Sequence, residues 1–287
     1  MSDHTAAIQC KHPRIGADCQ FGERVRIECD ELEIGPRTVI GDDCILIGRK
    51  IRIGTECWLA NHVQIGGGSC REAYSELSMG DLCHVGEHAF INTARKVVMG
   101  DEVGIGMHSR LFTHGAYLSE LDGFPVKFAP ISIGSRVWMP QATVLPGVRI
   151  GDDCVIAAGS VLIHAVPSGC LAGGVPAKVI RENAYPAVLS IEEKKAKLEA
   201  LLQDFRAICA DHGFGFELEP AASGFLLNRV LLSLGPPPAC ECKTVFNLAA
   251  KSASGEAGAF SELLKNELRR HGIRLRSYAD GGKYVSW

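Results

Sequence analysis

An aliphatic residue recurs every six positions along the first part of this chain, and this repeat constrains the fold more than any other feature. A small residue often stands four positions after it. Such a short period is typical of a solenoid, in which three short strands, each turned by about 120° from the last, bring every recurring residue into one stacked core. The recurring residues, taken in threes, are Ile15, Phe21, Ile27; Ile34, Ile40, Leu46; Ile53, Leu59, Ile65; Met79, Val85, Ile91; Met99, Ile105, Leu111; Ile133, Trp138, Val144; and Ile150, Ile156, Leu162.

Five of the twelve cysteines occupy the small-residue position of the repeat. Because they form no C-x-x-C pair, we expect them to fill the narrow interior of the coil rather than to bind a metal or form a redox pair. They are Cys19, Cys44, Cys57, Cys83 and Cys154. The chain is long enough to build an apolar core, so we interpret all of its cysteines as reduced thiols.

The composition argues against two classes of partner. The chain has 30 Lys and Arg residues against 33 Asp and Glu residues, so it lacks the basic excess that binding to nucleic acid or to a membrane surface needs. No stretch approaches the roughly 18 apolar residues of a membrane span, and the N-terminus lacks the apolar region of a signal peptide. We therefore expect a cytoplasmic protein.

Two long segments interrupt the repeat. The first follows Ile65 and reads GGGSCREAYSEL, and the second runs from about Thr113 to Pro130. Loops that project from a rigid scaffold are where binding and catalytic residues tend to lie. We expect the second segment to carry function, although an insertion can also be surface decoration.

The repeat stops near Val166, and a different pattern follows a connector rich in Gly and Pro. Ser190 and Glu193 have the spacing of a capping box at the start of an amphipathic helix. A strand over 244–248, a helix over 256–271 and a strand through Ile273 that turns at 280–282 are predicted beyond it. We expect an all-β solenoid over 1–181 and a smaller α+β module over 182–287.

The segment from Ile131 to Arg181 resembles the end of hexapeptide-repeat acetyltransferases such as the galactoside and maltose O-acetyltransferases. The motifs that carry the resemblance are Ile133-Gly134, Val137-Trp138, Pro146-Gly147-Val148, Ile150-Gly151, Ala158-Gly159-Ser160 and Gly174-Val175-Pro176-Ala177-Lys178. The resemblance implies a left-handed parallel β-helix and a homotrimer. It also implies that acetyl-CoA, the co-substrate, lies in the groove between neighbouring β-helices.

The same resemblance implies that His114 is the catalytic residue. Transfer of an acetyl group from a thioester to an alcohol requires removal of the hydroxyl proton, and imidazole is the side chain that suits this task near neutral pH. His114 stands where the coil gives way to the second long segment, as the family's histidine does. On spacing alone, it could equally be a solvated loop histidine.

Further residues are assigned by matching the family's motifs. Asn92 is predicted to contact the acceptor, or else to satisfy backbone groups at a corner of the coil. Trp138 is predicted either to line the active site or to belong to the core. The residues predicted to bind the cofactor are Ala158, Gly159, Ser160, His164, Lys178 and Arg181. Two departures from the family weaken these assignments: Ile163-His164-Ala165 replaces a Thr-Lys-Asp stretch, and the segment from Trp138 to Pro146 is one residue short.

The resemblance suggests a carbohydrate hydroxyl as the acceptor, and three alternatives stay open. The acceptor could be the amine of an amino sugar, or the protein could be a trimeric scaffold without catalytic activity. A zinc enzyme like the hexapeptide-repeat carbonic anhydrases would use His84, His108 and His114. The Gly-Val-Pro-Ala-Lys ending favours a CoA enzyme instead, so we expect no metal.

Overall fold

A computed structural model describes residues 6–237 and 242–276. The chain divides into two compact units, Met1–Ala187 and Val188–Trp287, and each unit has its own apolar core. Within the described residues, neither α-helix combines the length and the apolar character that crossing a membrane requires.

The first unit is built almost entirely from short strands. Its first half contains β1 (Ala7–Ile15), β2 (Gln20–Phe21), β3 (Arg26–Ile34), β4 (Val39–Ile40), β5 (Ile45–Ile47), β6 (Lys50–Ile53), β7 (Trp58–Leu59), β8 (Gln64–Gly66), β9 (Glu76–Met79), β10 (His84–Val85), β11 (Phe90–Asn92) and β12 (Val97–Met99). Its second half contains β13 (Gly104–Ile105), β14 (Arg110–Leu111), β15 (His114–Gly115), β16 (Lys127–Phe128), β17 (Ile131–Ile133), β18 (Trp138–Met139), β19 (Ala142–Val144), β20 (Arg149–Ile150), β21 (Val155–Ile156), β22 (Ser160–Leu162), β23 (Leu171–Gly174) and β24 (Ala177–Arg181).

These strands coil into a parallel β-helix with three faces. One face runs β2-β4-β7-β10-β13-β18-β21-β23, a second runs β5-β8-β11-β14-β19-β22, and the third runs β6-β9-β12-β17-β20, while the long strand β3 joins the second and third faces. Successive coils pair in parallel, so that Ile91 stands between Ile65 and Leu111. The aliphatic residues stack inside, as the repeat predicts.

Two of the repeat residues that were predicted to point into the core, Ile15 and Trp138, are exposed instead. Ile15, in the first coil, is 40% exposed because no coil covers it on one side. Trp138 is 44% exposed, and Met139 beside it is fully buried. Side chains alternate along a strand, so the neighbour that points inward turns Trp138 outward. Trp138 is therefore not a core residue.

The cysteines of the repeat fill the interior, as predicted. Cys44, Cys57, Cys83 and Cys154 are buried, and Cys19 is half-buried. Each directs its sulfur at a backbone carbonyl of the next coil, as Cys44 Sγ does to Ala60 O at 3.0 Å. Burial raises the pKa of the Cys44 thiol to about 11. The prediction that every cysteine is reduced is wrong at Cys242, which lies outside the coil, in the second unit, and is disulfide-bonded.

The corners of the coil are held by side-chain to backbone hydrogen bonds. Asp81 N donates to Asp101 Oδ1 at 2.8 Å, Asp101 N to Ser135 Oγ at 3.1 Å, and Ser135 N to Asp152 Oδ1 at 2.6 Å. Each bond satisfies an amide that the tight turn would leave without a partner. The rigid corners give fixed positions to the residues that follow them.

The second unit contains helices and a five-stranded sheet. Its elements are α1 (Ile191–Asp211), β25 (Glu219–Ala221), β26 (Gly224–Leu227), β27 (Val230–Ser233), β28 (Thr244–Asn247), β29 (Ser252–Gly255) and α2 (Ala259–Arg270). The predicted capping box is present, with Ser190 Oγ accepting from Glu193 N and Glu193 Oε2 accepting from Ser190 N.

Two differences from the prediction concern this second unit. Strands β25 to β27 were not foreseen, and they form the sheet with β28 and β29. As far as the structure describes it, the segment through Ile273 forms no ladder, and an isolated bridge joins Ser252 to Arg276. The turn predicted at 280–282 lies outside the described residues.

Candidate active site

His114 lies at the base of the second long segment, where two antiparallel strands fix its backbone. In the ribbon of β15 and β16, His114 pairs with Phe128 and Gly115 pairs with Lys127. Ala129 N also donates to Thr113 O at 2.9 Å. The loop between the two strands contains a short 3-10 helix, Glu120–Asp122. The imidazole is half-buried, so the ribbon presents it at the edge of the coil.

Asn92, at the end of β11, lies behind this histidine. Its side chain is fully buried, and its Nδ2 donates to Gly66 O at 2.9 Å and to Gly68 O at 3.0 Å. Its Oδ1 accepts from Thr113 Oγ1 at 2.7 Å and lies 2.9 Å from His114 Nδ1. The geometry favours a role in orienting the imidazole, and contact with the acceptor stays a prediction.

These contacts fix the tautomer of His114. The two carbonyl acceptors hold the Asn92 amide nitrogen on their side, so the oxygen must face the imidazole. Because an amide oxygen only accepts, the 2.9 Å contact requires a proton on Nδ1 of His114. In the neutral ring, Nε2 therefore carries the free lone pair.

The first long segment approaches the same imidazole. A Cβ added at Gly68 would lie 3.3 Å from both Cε1 and Nε2 of His114. Gly67, beside it, has φ +85, and a Cβ there would lie 2.7 Å from the ring of Phe90. The backbone can follow this path only with glycine at position 67. The two interruptions of the repeat thus meet at His114.

A stack of side chains extends from the imidazole. The ring centroids of His114 and Phe128 are 5.4 Å apart, with an interplanar angle of 20°. The guanidinium of Arg95 lies over the other rings of the stack, 4.7 Å from the centroid of Phe128 and 4.6 Å from that of Tyr74. Tyr74 belongs to the first long segment and Phe128 to the second. Arg95 therefore joins the two segments beside His114.

Trp138 lies on another face of the coil. Its strand β18 pairs with β13 and β21, and its indole covers Gly104, where a Cβ would lie 2.5 Å from Cε3. No hydrogen bond or ring contact joins Trp138 to His114 among the residues that the structure describes. A role for Trp138 beside the site stays a prediction.

Several predicted cofactor residues lie together at the end of the coil. Ala158 and Gly159 form an exposed corner, and the hairpin of β23 and β24 folds against it, with Gly174 N donating to Ser160 Oγ at 3.2 Å. Lys178 and Arg181 lie on the outer strand of this hairpin, and both are exposed. A Cβ at Gly159 would meet nothing within 4 Å, so the corner has open space beside it. Ser160 itself is buried.

His164 is exposed, two residues after the end of β22. It makes no hydrogen bond or ion pair with a protein group in the described part of the chain. Nothing in the local geometry draws it towards the corner at Gly159, so its cofactor contact remains a prediction from motif matching.

The histidines of the zinc alternative do not converge. His84 packs on Trp58, with ring centroids 4.8 Å apart. His108 stacks on His88 at 5.2 Å, and His88 stacks on His62 at 4.7 Å. Among residues 6–237 and 242–276, no group of three or more His, Cys, Asp or Glu side chains could hold a metal ion.

Sequence reasoning missed four contributors to the site: Gly68, Tyr74, Arg95 and Phe128. Two signals point to them in retrospect. Arg95 follows β11, the strand that ends at Asn92 and stacks directly on the coil of the first interruption. Tyr74 and Phe128 are aromatic residues inside the two interruptions. The two interruptions follow β8 and β14, the strands on either side of β11, so their loops meet across the turn that follows β11.

Comparison with known proteins agrees with this architecture. The family model described as bacterial transferase hexapeptide (six repeats) matches residues 130–164, and these residues include β17 to β22. The matched segment of the chain is therefore similar to hexapeptide-repeat transferases. A hexapeptide-repeat domain implies a left-handed β-helix, the handedness that the family resemblance implies.

The proteins to which this chain is similar include two of Escherichia coli K12. It is 36% identical to the galactoside O-acetyltransferase over 116 residues, which are 37% of this chain and 56% of that protein. It is 33% identical to a putative colanic acid biosynthesis acetyltransferase over 109 residues, 38% of this chain and 59% of that protein. The chain thus spans a little over half the length of the curated relatives it matches.

A solved structure, that of a polysialic acid O-acetyltransferase, is similar to this protein over 70% of this chain and 99% of that one. The sequence identity is 18% and the TM-score is 0.38.

Proposed function

We propose that this protein is an acetyl-CoA-dependent O-acetyltransferase that acetylates a hydroxyl group of a carbohydrate. The observation that carries the proposal is the 2.9 Å contact between His114 Nδ1 and Asn92 Oδ1. It holds the imidazole in the tautomer whose Nε2 can accept a proton. A solvated loop histidine would not need a buried amide that is itself anchored at two carbonyls.

The proposed reaction is direct transfer. Nε2 of His114 takes the proton of the acceptor hydroxyl as its oxygen attacks the thioester carbonyl carbon. The tetrahedral oxyanion collapses, the bond between carbon and sulfur breaks, and CoA leaves as a thiolate. The proton on Nε2 then passes to this thiolate, so the imidazole returns to its starting state. The partial negative charge on Asn92 Oδ1 stabilises the imidazolium that forms between these steps.

No acyl-cysteine is part of this scheme. The thiolate is the nucleophilic form of cysteine, and the cysteines of the coil interior point at backbone carbonyls. Burial also raises the pKa of Cys154. These features support direct transfer over a covalent intermediate on the enzyme.

The proposed cofactor site is the corner at Ala158 and Gly159 together with the hairpin of β23 and β24. The missing side chain at Gly159 lets the amides of pantetheine approach the backbone. Lys178 and Arg181 carry the positive charge that the CoA phosphates need. The proposal includes a homotrimer whose grooves between neighbouring β-helices hold acetyl-CoA, and a cytoplasmic location.

The carbohydrate acceptor is proposed from the relatives. One is a galactoside O-acetyltransferase, and another is described as acting in colanic acid biosynthesis. Both match the chain over a little more than half of their own length, so the acceptor class belongs to the proposal rather than to the family assignment.

The test is an acceptor screen with the purified full chain, acetyl-CoA and a panel of saccharides that includes amino sugars. Release of the CoA thiol is followed together with the mass of the product. An ester product is cleaved by mild alkali and an amide is not, which separates O-transfer from N-transfer. Failure of the chain to bind acetyl-CoA would contradict the proposal in favour of a scaffold, and sedimentation of the same sample reports whether the protein is a trimer.

A further inference from the structure

Arg95 occupies an unusual position beside the candidate site. It follows β11 in the turn that leads to β12, and its guanidinium contacts the rings of both Tyr74 and Phe128, at 4.6 and 4.7 Å from their centroids. Nη1 donates to Ala94 O at 2.7 Å, and the backbone N–H of Arg95 donates to Thr113 Oγ1 at 3.0 Å. The side chain is therefore held flat and in one orientation.

Among the described residues, no carboxylate balances the charge of this guanidinium. No carboxylate lies within ion-pair distance of Arg95 in the described ranges, although the next residue, Lys96, pairs with Glu76 at 2.7 Å. The bond to Ala94 uses one of the five N–H groups, and a guanidinium arranges these groups as a fork that matches a carboxylate. Because the aromatic rings present no hydrogen-bond acceptor in their plane, the N–H edge of the guanidinium is the part to which an anion can bind.

The position of this edge relates it to the proposed chemistry. The Phe128 ring contacts both groups: its centroid lies 4.7 Å from the guanidinium carbon of Arg95 and 5.4 Å from the centroid of the His114 imidazole. A ligand that binds the edge of Arg95 is therefore close to His114. Tyr74 is 66% exposed and Phe128 is 38% exposed, and such exposed ring surfaces are suited to pack against the apolar face of a sugar.

We propose that the acceptor is an acidic saccharide, whose carboxylate binds the fork of Arg95 while a hydroxyl of the same or the adjacent sugar unit lies at His114. This inference rests on the proposed function and names the substrate class of that site. A carboxylate on a bidentate, partly desolvated guanidinium makes hydrogen bonds about twice as strong as neutral ones. Arg95 is thus a determinant of acceptor specificity that acts on binding and takes no proton.

A purely structural role for Arg95 makes a different prediction. If the stack only ties the first long segment to the second, then removal of the guanidinium should disturb the site for every acceptor alike. If Arg95 binds a carboxylate, then its removal should act on acidic acceptors selectively. The ratio of kcat/KM values for an acidic acceptor and its neutral counterpart separates these two roles, because a general loss of activity cancels in the ratio.

The experiment uses the full chain and pairs of methyl glycosides that differ in the carboxylate: glucuronide with glucoside, galacturonide with galactoside, and a sialoside with its methyl ester. The variants are Arg95→Met, which keeps an apolar chain beside the two rings, and Arg95→Lys, which keeps the charge without the fork. Lys96→Met is the matched control, because it removes the same charge one residue away. Calorimetric binding of each acidic glycoside is measured alongside transfer, and thermal unfolding reports whether each variant is folded.

In the wild type, we expect at least one acidic glycoside to exceed its neutral counterpart in kcat/KM by about 10- to 100-fold, chiefly through KM. Arg95→Met should abolish this preference, Arg95→Lys should keep part of it, and Lys96→Met should keep all of it. Preference for the neutral glycosides, or a preference that survives in Arg95→Met, overturns the inference and leaves the proposed transferase intact. If no glycoside is acetylated, binding decides: acidic glycosides that bind the wild type and not Arg95→Met support the site while the proposed function fails, and the absence of binding overturns the inference.

Discussion

His114 and Asn92 are 22 residues apart in the chain and 2.9 Å apart in space, from Nδ1 to Oδ1. One turn of the coil separates them in the stack, because β11, which ends at Asn92, pairs with β14 directly before His114. Residues one coil apart in the sequence are therefore stacked closely enough to form a hydrogen bond. Three of the following predictions depend on this pair and its neighbours.

Replacement of His114 by Ala should lower kcat by about 10²- to 10⁴-fold and leave the affinity for acetyl-CoA nearly unchanged, because it removes a proton acceptor and no part of the proposed cofactor site. Steady-state kinetics and calorimetry measure the two quantities. His88→Ala is the matched control, since His88 lies in the stack with His62 and His108. A His114→Ala variant with more than half of the wild-type activity would rule out the assignment.

Replacement of Asn92 by Ala should lower kcat by about 10- to 100-fold, in line with the loss of a hydrogen bond to a group that becomes charged. Without the amide oxygen, the neutral ring of His114 is free to carry its proton on Nε2, where it cannot act as a base. Nitrogen-15 NMR of the imidazole reports the tautomer directly. An unchanged tautomer combined with reduced kcat would assign Asn92 a role other than orienting His114.

Gly68→Ala should reduce kcat/KM by about 10-fold, because small displacements of a reacting group are costly. The added Cβ would lie 3.3 Å from Nε2 of His114, and the imidazole or the loop must move by a few tenths of an ångström. Gly215→Ala is a suitable control, since a Cβ at that glycine meets nothing within 4 Å. Wild-type kinetics for Gly68→Ala would mean that the first long segment does not approach His114 as described.

The repeat was sufficient to predict the β-helix because one position in six reports burial directly. The repeat gave the wrong inward residue at Trp138. Either Trp138 or Met139 could occupy the apolar position of the repeat, and it is Met139 that points inward. The family resemblance pointed to His114, which follows the end of a coil, but no pattern in the sequence pointed to Gly68 or Arg95. Their roles depend on how two loops meet, and the length of a loop does not determine its path. In the second unit, strands as short as β25 leave too few residues for a pattern.

Acid should destabilise the second unit partly through Glu193. A backbone hydrogen bond from Ser190 holds the pKa of Glu193 below its ordinary value of 4.5. Because the folded pKa is the lower one, the carboxylate contributes stability above pH 4.5 that is lost as the pH falls through the folded pKa. Glu193→Gln keeps an acceptor in the capping box but does not titrate. Between pH 6 and pH 3, the range that covers the titration of such carboxylates, the unfolding free energy of the variant should therefore fall less than that of the wild type. Urea unfolding at each pH measures this, with the exposed Glu199→Gln as the control, and equal losses in Glu193→Gln and the wild type would count against it.

Truncation after Ala187 should give a folded first unit that binds acetyl-CoA and has lost kcat/KM for its natural acceptor. The apolar clusters of the two units share no residue, so removal of the second leaves the core of the first complete. The edge of β23, the last strand on its face of the coil, is also covered within the first unit, because β24 pairs with it. His114, Asn92 and the corner at Gly159 all remain, so any selective loss must come from acceptor recognition by the second unit.

If the second unit instead serves as a cap, the truncated protein should aggregate or melt at a lower temperature, with transfer to every acceptor reduced together. A soluble truncated protein with unchanged kinetics would exclude both roles, and sedimentation, thermal unfolding and kcat/KM on the best acceptor of the screen distinguish these outcomes.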